Sequence, residues 1–237
     1  MTETAKLGLP LVQPSQAQKH VTVNEALARL DSLTQLSVAS RSVTVPPVDA
    51  LDGVCYLVPA GANAAWAGHV DEIAIRSNNG WVFVPMVDGW RVWIADEGQA
   101  LDWIEGEFVE GLVARSPTGT STAFKIWEYD QTLAIGSSVD GAEEVPGTVL
   151  VFGLTGRVLD AIGGTLTDWQ LGHGSSLDRY GSGLGLSAGS WVRGLTGQPQ
   201  TYYSGFRPIF TANGGDFGGG TVRIAVHYME LGLPSAG

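Results

Sequence analysis

The sequence predicts a mainly β protein: an N-terminal arm with one helix, a small tryptophan-rich antiparallel β domain, and a C-terminal β-sandwich or jelly roll. Three observations carry this reading. The 237 residues include 33 glycines and 11 prolines, which favour tight turns and short strands over long helices. Apolar and aromatic runs of strand length recur between Gly, Asn, Asp and Ser turns over most of the chain. Only one stretch, near the N-terminus, carries the helical period. With 44% hydrophobic and 16% charged residues, the chain has the means to bury a sizeable core.

Residues 1–45 form the first predicted segment. LGLPLVQPSQAQKH reads as extended, because Pro10 and Pro14 remove backbone donors and disfavour helix before them. Thr22 followed by Glu25 has the spacing of a capping box, so a helix is expected to start there. Val23, Ala26, Leu27, Leu30, Leu33 and Leu36 then recur at helical spacing. Pro46 and Pro47 mark the linker that follows. The stripe Val23, Leu27, Leu30 and Leu33 has two readings. It either packs on the chain's own fold or forms an oligomer or docking contact, since an arm with one helix cannot bury its own stripe.

Residues 46–117 form the second segment. Five of the eight tryptophans (Trp66, Trp81, Trp90, Trp93 and Trp103) lie between positions 66 and 103. CYLV, EIAIR, WVFVPM, WRVWI, ALDWI and EFVE are strand-sized, separated by NNG, VDG, DEG and EG turns. A sheet this small needs large side chains to make any core. Aromatic faces also stack on sugar rings, which makes Trp81, Trp90, Trp93 and Trp103 candidates for a glycan platform. Cys55 lies in an apolar strand, where a buried, inert thiol is expected.

Residues 118–237 follow the SPTGT linker and read as one all-β domain. STAFKIWEY, TLAIGS, TVLVFGL, TLTDWQLG, SWVRGL, TYYS, RPIFTA and TVRIAVHYMEL are its strands. In the last of them Val222, Ile224, Val226 and Tyr228 share one face, opposite Arg223, Ala225, His227 and Met229. The Gly/Ser-rich stretch 172–190 reads as a long loop, of a kind that is often functional. Asp178-Arg179-Tyr180 and Asp216-Phe217 are expected to fix loops.

Charge narrows the function. Thirteen cations against 24 anions leave a net charge of −11, no footprint for gripping a phosphate backbone and none for an anionic membrane. Neither nucleic acid nor membrane is an expected partner. The anions concentrate in residues 51–117, ten against three cations. One cysteine permits no internal disulfide and no cysteine zinc site, and His20, His69, His173 and His227 lack ligand spacing. No apolar run is long enough to span a membrane, and the first residues do not read as a signal peptide, so a reducing compartment is expected. The glycine clusters lack the strand-loop-helix setting and lysine of a phosphate cradle. Asp102 with Glu105, or Glu105 with Glu107, offers carboxylate pairs of the type glycosidases use, although acids beside Gly turns are ordinarily a solvated face. No catalytic residue, metal ligand or cofactor is expected.

Particular strings go further. LPLVQPSQAQKHVTVNEALARLD, AGANAAWAGH and GWVFVPMVDGWRVW resemble proteins encoded in alphaproteobacterial prophages and gene transfer agents, the phage-like particles that move host DNA between cells. RYGSGLGLSAGSWVRGLTGQPQTYY and GGDFGGGTVRIAVHYMELGLP resemble the longer members, among them head-spike base proteins. The resemblance implies a non-enzymatic structural component of a particle head, assembled in the cytoplasm and released by lysis. It implies a capsid or vertex protein and a spike fibre protein as partners, adhesion to capsular polysaccharide, and a homo-oligomer, with a pentamer favoured over a trimer. A carbohydrate-binding module that contacts envelope glycan directly is the alternative reading, and a glycosidase a third.

Overall fold

The computed structural model describes residues 2–13 and 19–235; Pro14 to Gln18, part of the expected arm, lie outside the described residues. The protein is mainly β and divides into two compact units, residues 1–110 and 111–237.

In the first unit the helix α1 (Lys19–Leu33) is followed by β1 (Ser37–Val38), β2 (Cys55–Leu57), β3 (Glu72–Ser77), β4 (Gly80–Pro85), β5 (Arg91–Ile94), β6 (Gln99–Ile104) and β7 (Glu107–Glu110). The strands form two small sheets, β2-β3-β4 and β1-β5-β6-β7, antiparallel except where β1 runs parallel to β5. One core cluster gathers Leu36, Val38, Cys55, Leu57, Ile73, Ile75, Val92, Ile94 and Leu101. A second is aromatic, with Trp66 buried among Tyr56, Trp81 and Phe83. The sequence divides this stretch at residue 45, whereas Leu36 and β1 share one core with residues 55–101.

The helix differs from expectation at both ends. It is already formed at Lys19, which puts Thr22 inside it rather than at an N-cap. It stops after Leu33, because Gln35 takes the left-handed conformation at φ +52°. Leu36, expected on the helical stripe, is instead a buried core residue beyond the helix.

The second unit contains β8 (Leu112–Arg115), β9 (Ser121–Thr132), β10 (Ser138–Asp140), β11 (Val149–Gly164), β12 (Asp168–His173), β13 (Ser176–Leu184), β14 (Trp191–Tyr202), β15 (Ile209–Asn213) and β16 (Phe217–Gly232). They make two sheets, ordered β14-β11-β16-β9-β8 and β10-β15-β12-β13. Setting aside β8 on one edge, this alternation of eight strands between two four-stranded sheets is a jelly roll. Its two sheets enclose one continuous core running from Leu133 to Tyr228, centred on Val151, Leu154, Trp169, Leu171, Phe210 and Ile224. The expected facing of the last strand holds: Val222, Ile224, Val226 and Tyr228 are buried in that core.

The stretch 172–190 is not a long loop. Its middle nine residues are β13, hairpinned to β12 by a short turn at Gly174 and Ser175. Its glycines serve two ends: Gly174, Gly183 and Gly189 take positive φ in open space, while Gly172 lets backbones approach. A Cβ on Gly172 would lie 2.1 Å from the Ser176 carbonyl oxygen, and one on Gly194 of β14 would lie 2.2 Å from that of Tyr180. Tyr180, expected in a loop, is buried in β13, and its hydroxyl lies 2.8 Å from that of Tyr202.

Candidate functional site

The N-terminal arm is built around one carboxylate. Asp31, near the end of α1, is only 1% exposed. Its Oδ1 accepts hydrogen bonds from the Thr4 hydroxyl at 2.7 Å and the Leu7 N–H at 2.6 Å, and its Oδ2 accepts from the Lys6 N–H at 2.9 Å. Thr4 in turn accepts from the Leu9 N–H, and an antiparallel bridge joins Glu3 to Pro10. Among the described residues of the arm, 3–10 therefore form a folded loop and not the extended segment expected from the prolines. Burial pushes the Asp31 carboxyl up, but the three donors and the Lys6 charge outweigh it and hold the group below the usual carboxylate range.

Lys6 continues the clasp. Its Nζ donates to the Ser32 and Ser37 carbonyls and approaches Cys55 Sγ at 3.6 Å. Cys55 is buried, as expected, and burial pushes its thiol up despite the nearby ammonium.

This clasp turns α1 over. The buried positions in its last turns are Asp31 and Ser32, with Asn24 and Ala28 half-buried on the same side, and Asn24 holds Val12 by two backbone hydrogen bonds. Val23 and Leu30 point the other way and are 44% and 56% exposed. Leu27 is half-buried, and Leu33 packs against the first core cluster. The four residues of the expected stripe thus split between an open apolar edge and the flank of the fold. An ordinary globular helix buries its apolar side; here hydrogen bonding to the arm claims the polar one.

The four tryptophans proposed as a platform are not brought onto one surface. Trp81, on β4, is half-buried 5.0 Å from Trp66 in an edge-on contact, with the Arg76 guanidinium over its ring. Trp90 precedes β5 and packs on the first core cluster. Trp103, on β6, meets Phe108 edge-on. Trp93, on β5, is 47% exposed and has an open face. Among the acids, Glu105 occupies the β6–β7 turn at φ +53° and Glu107 is exposed, while Asp102 is half-buried on β6 opposite Val109 and Arg91.

The most exposed tryptophan was not among these candidates. Trp191, at 63%, opens β14 in the jelly roll, with Arg193 on the same side. The alternation Trp191, Val192, Arg193, Gly194 carried that signal in the sequence, outweighed by the denser tryptophans upstream.

Residues 23–109 match a family described as a protein of unknown function, DUF2793. No curated protein matches the chain. Among solved structures, the cyanophage Pam1 capsid asymmetric unit is 21% identical over 50% of this chain and 92% of its own, with a TM-score of 0.35. A likeness that slight assigns no role.

Proposed function

We propose that this chain is a non-enzymatic structural component of a phage-like particle, the base of a head spike that holds a fibre and supports adhesion to a recipient cell's surface polysaccharide. The observation that carries the reading is the inverted helix. A single helix that turns its polar side to its own fold and leaves Val23 and Leu30 outward presents an apolar edge suited to a socket on a capsid or vertex partner. The phage-type strings of the arm and helix point the same way. The jelly roll adds only an analogy, since it serves capsid and lectin domains alike. A closed homo-oligomer, pentameric to match a vertex, goes with such a base.

The test is particle association of Val23→Asp with Leu30→Asp. Both side chains are exposed, so the isolated variant should keep its β circular dichroism. Its co-sedimentation with particles should fall to background, and normal occupancy would refute the docking role of the helix. Burying each side chain at an interface is worth roughly 1.5–3 kcal/mol, so two charges there are severe. Light scattering on the isolated chain reports the oligomer number.

A further inference from the structure

The outer face of the larger jelly-roll sheet carries an open depression of about 560 Å³, within the size range of small-ligand sites. Strand register sets its lining. Trp191 of β14, Arg157 of β11, Arg223 of β16 and Asp130 of β9 form one row across the sheet. Arg193, Thr155, Ala225 and Glu128 form the next. Four strands at the usual spacing make each row about 14 Å long. Thr155 and Ala225 are the short side chains in the middle, so they are the floor, while Trp191 with Arg193 and Arg223 with Glu128 are the walls.

The chemistry of this lining is unusual for the chain. Residues 111–237 hold seven Lys and Arg against ten Asp and Glu, and three of the seven line this one depression. Arg223 is held by Asp130 through two hydrogen bonds of 2.7 and 2.8 Å. Arg157 gives one N–H to the Gly189 carbonyl, and the Arg193 guanidinium sits 5.8 Å from the Trp191 ring centre. The Thr155 hydroxyl lies 2.9 Å from His227 Nε2, which fixes it in the floor. An exposed indole with one guanidinium over its ring, two further guanidinium groups, a hydroxyl below and a carboxylate opposite make four complementary kinds of group. The indole takes the apolar face of a sugar ring. Arginine forks take a carboxylate in paired hydrogen bonds, which a compact ammonium cannot do. Thr155 and Glu128 can hold ring hydroxyls.

We propose that this depression binds an acidic sugar of the uronic-acid type within a polysaccharide, with Trp191 stacking and Arg157 and Arg193 holding the carboxylate. The proposal names a ligand class for the adhesion reading above, and rests on it only for the biological setting, because the binding itself needs no particle. The experiment is calorimetric titration of the full-length chain with oligogalacturonate, its methyl ester and polyglutamate. Saturable binding of oligogalacturonate is expected, at least tenfold weaker for the methyl ester, which keeps the ring and loses the charge, and for polyglutamate, which keeps the charge and lacks the ring. Trp191→Ala should abolish it, and so should Arg157→Gln with Arg193→Gln, a pair that leaves the strand's aromatic in place. Trp93→Ala and the Val23→Asp, Leu30→Asp variant should bind as the parent does. No saturable binding of oligogalacturonate, equal binding of either control polymer, or full binding by the folded arginine variant overturns the proposal. None of those results touches the particle-docking test.

Discussion

The two units solve the same problem at different scales. Residues 111–237 bury one continuous core between two sheets, with strands of up to 16 residues that alternate inward and outward. Residues 1–110 have strands of at most six residues, two separate small clusters, and an arm attached by hydrogen bonds to a buried carboxylate. In the first case stability scales with apolar area removed from water. In the second a few polar atoms decide whether a whole segment is ordered, since a buried donor or acceptor without a partner costs more than a made bond contributes. The difference teaches where each unit is fragile: the jelly roll at its large side chains, the N-terminal unit at one aspartate.

The largest effect should come from emptying the jelly-roll core. Trp169 is fully buried, stacked on Phe210, and donates its indole N–H to the Gly185 carbonyl at 3.1 Å. Trp169→Ala should cost about 3–5 kcal/mol in urea denaturation; a loss below one would mean the core is not shared between the sheets. Gly194→Ala tests close approach instead of size. Its new Cβ would meet the Tyr180 backbone, so a loss of about 1–3 kcal/mol is expected, with hydrogen exchange quickened in β13 and β14. If that exchange is unchanged, the two strands have more room than their spacing implies.

Asp31→Ala should act locally. It leaves the Thr4, Lys6 and Leu7 donors without their acceptor, at a cost of about 1–3 kcal/mol. Limited proteolysis should then cut within residues 2–13 while the tryptophan fluorescence of the chain and its β circular dichroism are retained. Acid should do the same without mutation. Because the Asp31 carboxyl lies below its unfolded value, its contribution is complete above about pH 4, the ordinary aspartate range. It is lost as pH falls through the lower folded value. Equal arm protection in the parent and in Asp31→Ala at neutral pH would show that the carboxylate is not what holds it. The smallest effect should come from Glu97→Gln, which weakens a part-exposed pair with Arg41 and should shift stability by less than about 1 kcal/mol.

The comparison also explains what the sequence made legible. TVRIAVHYMEL announces its facing because a long strand between core and solvent must alternate, and a period of two is visible in one sequence. The short strands of the tryptophan-rich segment were readable from their turns. The stretch 172–190 was not, because glycine chosen for backbone contact looks like glycine chosen for slack. Nor was the direction of α1. Counting leucines leaves the stripe between core and interface, and only the bonds from Thr4, Lys6 and Leu7 to Asp31, 24 to 27 positions away, show why Val23 and Leu30 end on the open side. Trp191 was recoverable from its neighbours, but strand register was needed to set it beside Arg157 and Arg223.

The single thiol gives the arm a clock. Cys55 lies beneath Lys6, so a reagent reaches its sulfur only when the arm lifts away or the unit opens. When closing outpaces the chemistry, alkylation proceeds at the intrinsic thiol rate multiplied by the open fraction. A mass spectrometer following one added group per chain thus reports that open fraction with no label, and can do so on chains already seated in an assembly; comparison with Asp31→Ala separates lifting of the arm from opening of the unit.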